Sequence, residues 1–339
     1  MATKRMGWMV LAATIAVLGG LQTAFAAGND WKPTHPINLI VPWAAGGATD
    51  QVTRLVAAEL EQALGQTIVI INQPGASGAI GTKSALDAPH DGYTWTGGAV
   101  QDLGAYETLG SLKTRVADWN LYLSVANVPV LSVPANSAYT TASALIDAMR
   151  AHPNTISVST AGVTSSGHTA IDEVASAAHV TYRHVTYDGG NPAVIAAVSG
   201  EVNATSQLAS EEADMIRGKM LRPLAAISDK NVELTDFGVI PSLAQTIPGF
   251  SAPASYYGIF IPKSVPEEVT RTMDRIWQDK IANNAALRKF AADRGALFTP
   301  AWGEAAQTMS FPGIQANAWQ LFRSGKAKVS PDTVGIPAP

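Results

Sequence analysis

Between residues 41 and 60 the chain reads VPWAAGGATDQVTRLVAAEL, an apolar run that breaks at Gly46-Gly47 and resumes with helical spacing. A strand that passes into a helix through two glycines exposes the first-turn amides, and those amides together with the helix dipole favour an anion. Thr49 or Asp50 stands at the expected N-cap, which leaves the amides of Ala45 to Ala48 open. A tight turn with no ligand is the competing explanation. Two more stretches have the same physics. In TAGVTSSGHTAIDEV, Gly162 turns the chain, and Thr164, Ser165 and Ser166 bring hydroxyls that equally suit plain capping. In YDGGNPAVIAAVSG, Gly189-Gly190 precede a helix whose first turn accepts Pro192. Three such starts in one chain argue for a bound anion better than any one alone.

Residues that could carry catalysis are poorly placed. GASGAIGTKS, residues 75–84, resembles a phosphate loop, but Gly81 is followed by Thr82 where the motif requires lysine. Ser166 and His168 are too close along a helix start to face one another as nucleophile and base. His179 and His184 bracket a strand without a third ligand. The chain has no cysteine, which removes disulfides, thiolate metal sites and a Cys nucleophile. No metal and no cofactor is expected, and the chain does not read as an enzyme. With 15% charged residues and a net charge of −4, a nucleic-acid partner is not expected either.

The elements that must position these turns alternate. INLIVPW reads as a strand, 50–64 as a helix with Val52, Leu55, Val56 and Leu60 on one face, and TIVIIN as the next strand. Helix and strand continue to alternate to the C-terminal helices, which predicts an α/β protein with parallel sheets covered by helices. The pattern restarts after Ala135 and returns to the first unit near 253. Residues 27–135 and 253–325 therefore form one discontinuous domain, and 136–252 a second domain inserted into it. Crossings near 130–137 and 250–257 would act as a hinge, with the ligand in the cleft between domains. The tail, 326–339, is expected to be flexible. At the other end, Lys4 and Arg5, an apolar run and AFA before Ala27 predict a signal peptide over residues 1–26, with export to the periplasm.

Trp43, Trp95, Tyr187, Tyr256 and Tyr257 fall at expected strand ends or crossings. Most such aromatics are core, and one or two would line the cleft.

Several motifs occur together and in order: PINLIVPWAAGGATD, NQPGASGAIG, PHDGYTWTGG, TAGVTSSGH and VTYDGGNPAVIAAVSGEVNA. Over about residues 33–325 the chain resembles the solute-binding proteins of tripartite tricarboxylate transporters, the Bug family. The resemblance implies a two-lobed periplasmic binding protein of type II-like architecture, probed by no catalysis of its own. Such a protein closes on a small organic carboxylate and delivers it, as a monomer, to the membrane components of a transporter. It also implies a ligand carboxylate held by the first strand–helix turn, at Trp43, Ala44, Ala45, Gly46, Gly47, Thr49 and Asp50. The rest of the ligand would meet Pro74, Gly75, Ala76, Ser77 and Gly78, then Gly98, Gln101 and Asp102. Thr164, Ser165, Ser166, His168, Tyr187, Gly189, Gly190 and Gln207 would complete the lining. Asn203 and Gln207 stand where acidic residues are common in the family. That argues against an amino-acid ligand, whose ammonium would want a carboxylate, and favours a plain mono- or dicarboxylate. A ligand-sensing receptor that signals to a partner, and an exported hydrolase on the same scaffold, are the competing functions.

Overall fold

The computed structural model describes residues 30–339; the expected signal peptide lies outside the described residues. The first unit runs β1 (Ile37–Val41), α1 (Ala48–Leu64), β2 (Ile68–Asn72), α2 (Ala79–Asp87), β3 (Thr94–Ala99), α3 (Val100–Leu109) and β4 (Trp119–Asn127). The second begins with β5 (Pro129–Pro134), α4 (Ala142–Ala151), β6 (Ser157–Thr160), α5 (Ser166–Ala178) and β7 (Arg183–Thr186). It continues through α6 (Gly190–Val198), β8 (Ala204–Leu208), α7 (Ala209–Arg217) and β9 (Leu221–Ala226) to the hairpin β10 (Val232–Leu234) and β11 (Gly238–Ile240). The chain then returns through β12 (Ser255–Pro262), α8 (Glu267–Ile276), α9 (Ala285–Asp293), β13 (Leu297–Trp302) and α10 (Gly303–Arg323).

Two large sheets result, one in order β13-β4-β12-β3-β1-β2 and one in order β7-β6-β8-β5-β9. Helices cover both, so central strands are apolar on both faces: Ile37, Leu39, Ile40 and Val41 of β1 are all buried. The expected parallel sheets are in fact mixed. β12 lies antiparallel between β3 and β4, and β5 is antiparallel to β8 and β9. The cause is the crossing itself. β12 starts beside the end of β4, with Ser255 opposite Asn127, and must run back along it.

The crossing also corrects the first domain boundary. Residues 129–134 pair in the second sheet, so the chain changes sheets at Val128 and not at 135. NLYLSVANVPVLSVP is mostly apolar, with Asn and Ser scattered along it, and its periodicity does not mark a change of sheet. Pro129, without an N–H, opens the second strand.

The tail is a second correction, because it folds. Pro331–Val334 form a 3₁₀ turn closed by Gly335 in the left-handed region, and Ile336 is buried against Leu103 and Ile314. Lys328 N–H donates to Thr108 O (2.9 Å), and Trp319 Nε1–H to Pro337 O (2.8 Å). Among the described residues no helix is long and apolar enough to cross a membrane.

Candidate functional site

The double glycine divides its labour. Gly46, at φ +84, makes the turn that only glycine adopts cheaply. Gly47 is the N-cap at an ordinary φ of −73, so neither Thr49 nor Asp50 caps the helix. Asp50 turns back instead. Its carboxylate accepts from Gly46 N–H (2.9 Å) and Asn72 Nδ2–H (2.9 Å) and pairs with Arg54 (2.9 Å). Burial opposes its ionisation, yet Arg54, the Gly46 amide and Asn72 together hold its pKa below the usual carboxylate range. Nor are the amides of this turn open as expected. Besides Gly46, Ala44 N–H donates to Asp188 O (3.2 Å) and Ala48 N–H to Glu211 Oε1 (2.9 Å). Ala45 and Gly46 face solvent.

Asp188 and Glu211 belong to the second lobe, and the seam between lobes is where most of the expected site residues meet. Ser77 Oγ accepts from Val163 N–H (3.1 Å), and Ser77 O from Thr164 Oγ1–H (2.9 Å). Gln101 Nε2 donates to Ser166 Oγ and Ser255 Oγ, both at 2.7 Å, and Ser166 Oγ lies 3.0 Å from Tyr257 OH. The lobes touch so closely that a Cβ on Gly189 would lie 2.9 Å from Ala44 Cβ, and one on Gly162 would lie 2.7 Å from Ser77 Oγ.

Within the seam a cavity of about 20 Å³ remains, room for an ordered water. Of the expected residues, Trp43, Gly47, Thr49 and Asp102 line it from the first lobe, and Ser165, Ser166, Gly190 and Gln207 from the second. Ala48, Ala161, Gly167, Leu208, Glu211 and Tyr257 complete the wall. The first turns of α1, α5 and α6 thus face one small space. Among the described residues no acceptor is found for the amides of Ser166 and Gly167.

Other expected residues lie elsewhere. Pro74, Gly75 and Ala76 belong to the turn that carries Ser77, while Gly78 packs beneath Trp43 and Tyr106. Gly98 is inside β3 near Phe260. Tyr187 points outward, its hydroxyl donating to Glu201 (2.7 Å). His168 is buried but turned away from the cavity, with Nε2 2.6 Å from Lys326 Nζ and its ring stacked on His184. Burial lowers its pKa to about 3, so the ring is neutral and accepts from the lysine.

Two carboxyl groups dominate the cavity. Asp102, in the first turn of α3, is 4% exposed and its Oδ1 has no partner. Burial raises its pKa well above the usual value, against an opposing hydrogen bond from Trp43. Glu211, in the first turn of α7, was not singled out from sequence. Its Oε2 accepts from Leu208 N–H (3.3 Å). With the Gln207 amide oriented to satisfy both ends, that side chain donates to Glu211 Oε2 (2.9 Å) and accepts from Ala161 N–H (2.8 Å). Burial raises the Glu211 pKa to about 6, opposed by the amides of Ala48 and Leu208. The one sequence signal was its place three residues after Leu208, where a carboxylate caps the helix start. No Lys, Arg or His among the described residues lines this cavity.

The fold has known counterparts. The periplasmic binding protein BugD superposes with a TM-score of 0.79 at 22% identity, covering 87% of this chain and 99% of that one. R. palustris Rpa4515, solved with adipate, gives 0.74 at 26% identity over 88% and 98% of the two chains. The UPF0065 protein from the tcbD-tcbE intergenic region of Pseudomonas sp. (strain P51) is 31% identical, over 76% of this chain and 79% of its own. The model of the tripartite tricarboxylate transporter family receptor matches residues 52–322, well over half the chain. The chain is a member of the tripartite tricarboxylate transporter receptor family, a family of binding proteins and not of enzymes.

Proposed function

We propose that this chain is exported, captures a small organic acid between its lobes in the periplasm, and presents it to the membrane components of a tripartite transporter. The observation that carries this is the meeting of three helix starts, α1, α5 and α6, on one cavity at the lobe seam. Oriented neutral donors hold a carboxylate without a full countercharge. With the Ala48 amide occupied by Glu211 and the Ser165 hydroxyl by Gly162 O, the donors on the cavity wall include the Ser166 and Gly167 amides and the hydroxyls of Thr49 and Tyr257. A cavity of about 20 Å³ is far below the ~300 Å³ of an ordinary small-ligand site, so loading requires the lobes to part along the seam. Adipate in a relative of the same fold supports the acid class.

The test is a thermal-shift screen of organic acids on the purified mature protein, followed by calorimetry on those that raise the melting temperature. Saturable one-to-one binding of an acid is expected. A folded protein that binds no organic acid of any kind would refute this reading.

A further inference from the structure

We infer that Asp102 and Glu211 form an ammonium subsite, so that the acid captured here also carries a protonated nitrogen. This rests on the receptor function proposed above and narrows its ligand class.

Asp102 is the buried acid of the first lobe at this cavity. Its side chain is almost wholly buried, it lines the cavity, and Oδ1 has no hydrogen-bond partner. A buried polar atom without a partner is costly, and a native structure keeps few of them without a reason. Across the seam, Glu211 brings a second carboxyl group to the same wall, held by the Ala48 and Leu208 amides and by Gln207. A Cβ on Gly190 would stand 2.0 Å from Glu211 Oε1, so that backbone is shaped around the carboxylate. Tyr257 lines the same wall, and its pKa is raised by burial first and then by the charges of Glu211 and Asp102.

Among the described residues no cationic side chain lines the cavity beside these two acids. A ligand with carboxylates at both ends would bring like charge against Glu211 in a site with little water to screen it, and no donor to Asp102 Oδ1. A protonated amine meets the opposite conditions. It supplies the missing donor to Oδ1 in a cavity whose wall also holds the aromatic residues Trp43 and Tyr257. The ligand's carboxylate then falls to the neutral donors on the second lobe, Ser166 and Gly167. Gln207 does not stand in for a missing acid; it orients Glu211. Asn203 is remote from the cavity, its Oδ1 accepting from Ser157 N–H (2.9 Å). Neither Asn203 nor Gln207 therefore weighs against an amino-acid ligand.

Calorimetry at pH 7.5 on the intact mature protein tests this with matched probes: aspartate against succinate, 4-aminobutyrate against succinate, and 6-aminohexanoate against adipate. In at least one pair the amine-bearing acid should bind tenfold or more tightly than its partner. Asp102→Asn should abolish that preference by a similar factor while the melting temperature holds or rises, because an unpaired buried acid has been removed. Tighter binding of succinate or adipate than of every amine-bearing probe would overturn the ammonium subsite and leave the acid receptor standing. Asp102 would then be a protonated donor to carboxylate. An amine preference that survives in Asp102→Asn would equally overturn it. Failure of all five probes to bind a folded protein would count against both readings.

Discussion

Glu211 Oε1 accepts the Ala48 amide across the lobe seam at 2.9 Å, so the helix start that reads as an anion site in sequence holds an anion from its own chain. One lobe's helix dipole is answered by a carboxylate on the other. Removing that carboxylate strands the amide. Glu211→Ala should lower folding stability by ~1–3 kcal/mol, read from urea unfolding, with the secondary structure unchanged.

Gly190→Ala should reproduce that loss without touching the acid. The new methyl would overlap Glu211 Oε1, Cδ and Oε2, all within 2.2 Å, so the carboxylate must leave the seam. The double variant Gly190→Ala/Glu211→Ala should be no less stable than either single one. Additive losses in that cycle would show that Gly190 acts elsewhere.

Stability should fall as pH rises through the mildly acidic range. Glu211 has its pKa raised from 4.5 to about 6, so between these values the folded protein binds more protons than the unfolded chain. Its contribution is complete below pH 4.5 and gone above about 6, a swing of at most ~2 kcal/mol. Glu173, raised by burial to about 8, extends the decline toward neutral pH. Melting temperatures from pH 4.5 to 8 should drop accordingly, and Glu211→Gln should flatten the portion between 4.5 and 6. An unchanged slope in that variant would contradict the assignment.

Deleting residues 326–339 should destabilise the protein, in contrast to trimming a loose end. The deletion exposes the Ile336 pocket, for which burial contributes ~1.5–3 kcal/mol, and removes the Lys326 partner of Asp172 and His168. Lys326→Ala alone should produce a smaller drop, since the contacts to Asp172 and His168 are lost and the Ile336 packing is kept. A truncated chain with a wild-type melting curve would show that the tail packs without consequence.

Acid binding and lobe parting should be visible together in solution. Scattering profiles recorded with and without a saturating acid should differ in radius of gyration, as expected for two lobes that rotate about a crossing. Identical profiles at saturation would mean a rigid site filled without lobe movement.

Strand and helix order was legible because apolar runs and Gly punctuation are local. α1 appears where Val52, Val56 and Leu60 recur on one face and ends at Gly65, as the spacing requires. The helix starts at Ser166 and Gly190 were legible for the same reason. What depended on two distant segments meeting was not. Glu211 reads as one more helix-capping acid until α7 is set against α1, 163 residues away in sequence. His168 looked like a lining residue because nothing local announces Lys326. The change of sheet at Val128 left no mark, since strands of either sheet are equally apolar. Ile336 followed a Pro/Gly-rich stretch whose composition suggests looseness, while its burial depends on α3 and α10.

One residue, Val128, links β4 to β5, and its carbonyl accepts from Ala209 N–H at 2.9 Å. Successive Cα atoms stay 3.8 Å apart whatever the torsions do. So short a tether has no slack, and it converts any separation of the lobes into a swing about a nearly fixed pivot. Parts far from a pivot sweep the widest arcs. A small torsional change at Val128 is thereby magnified toward the mouth of the seam, and the strands on either side can stay paired while it happens.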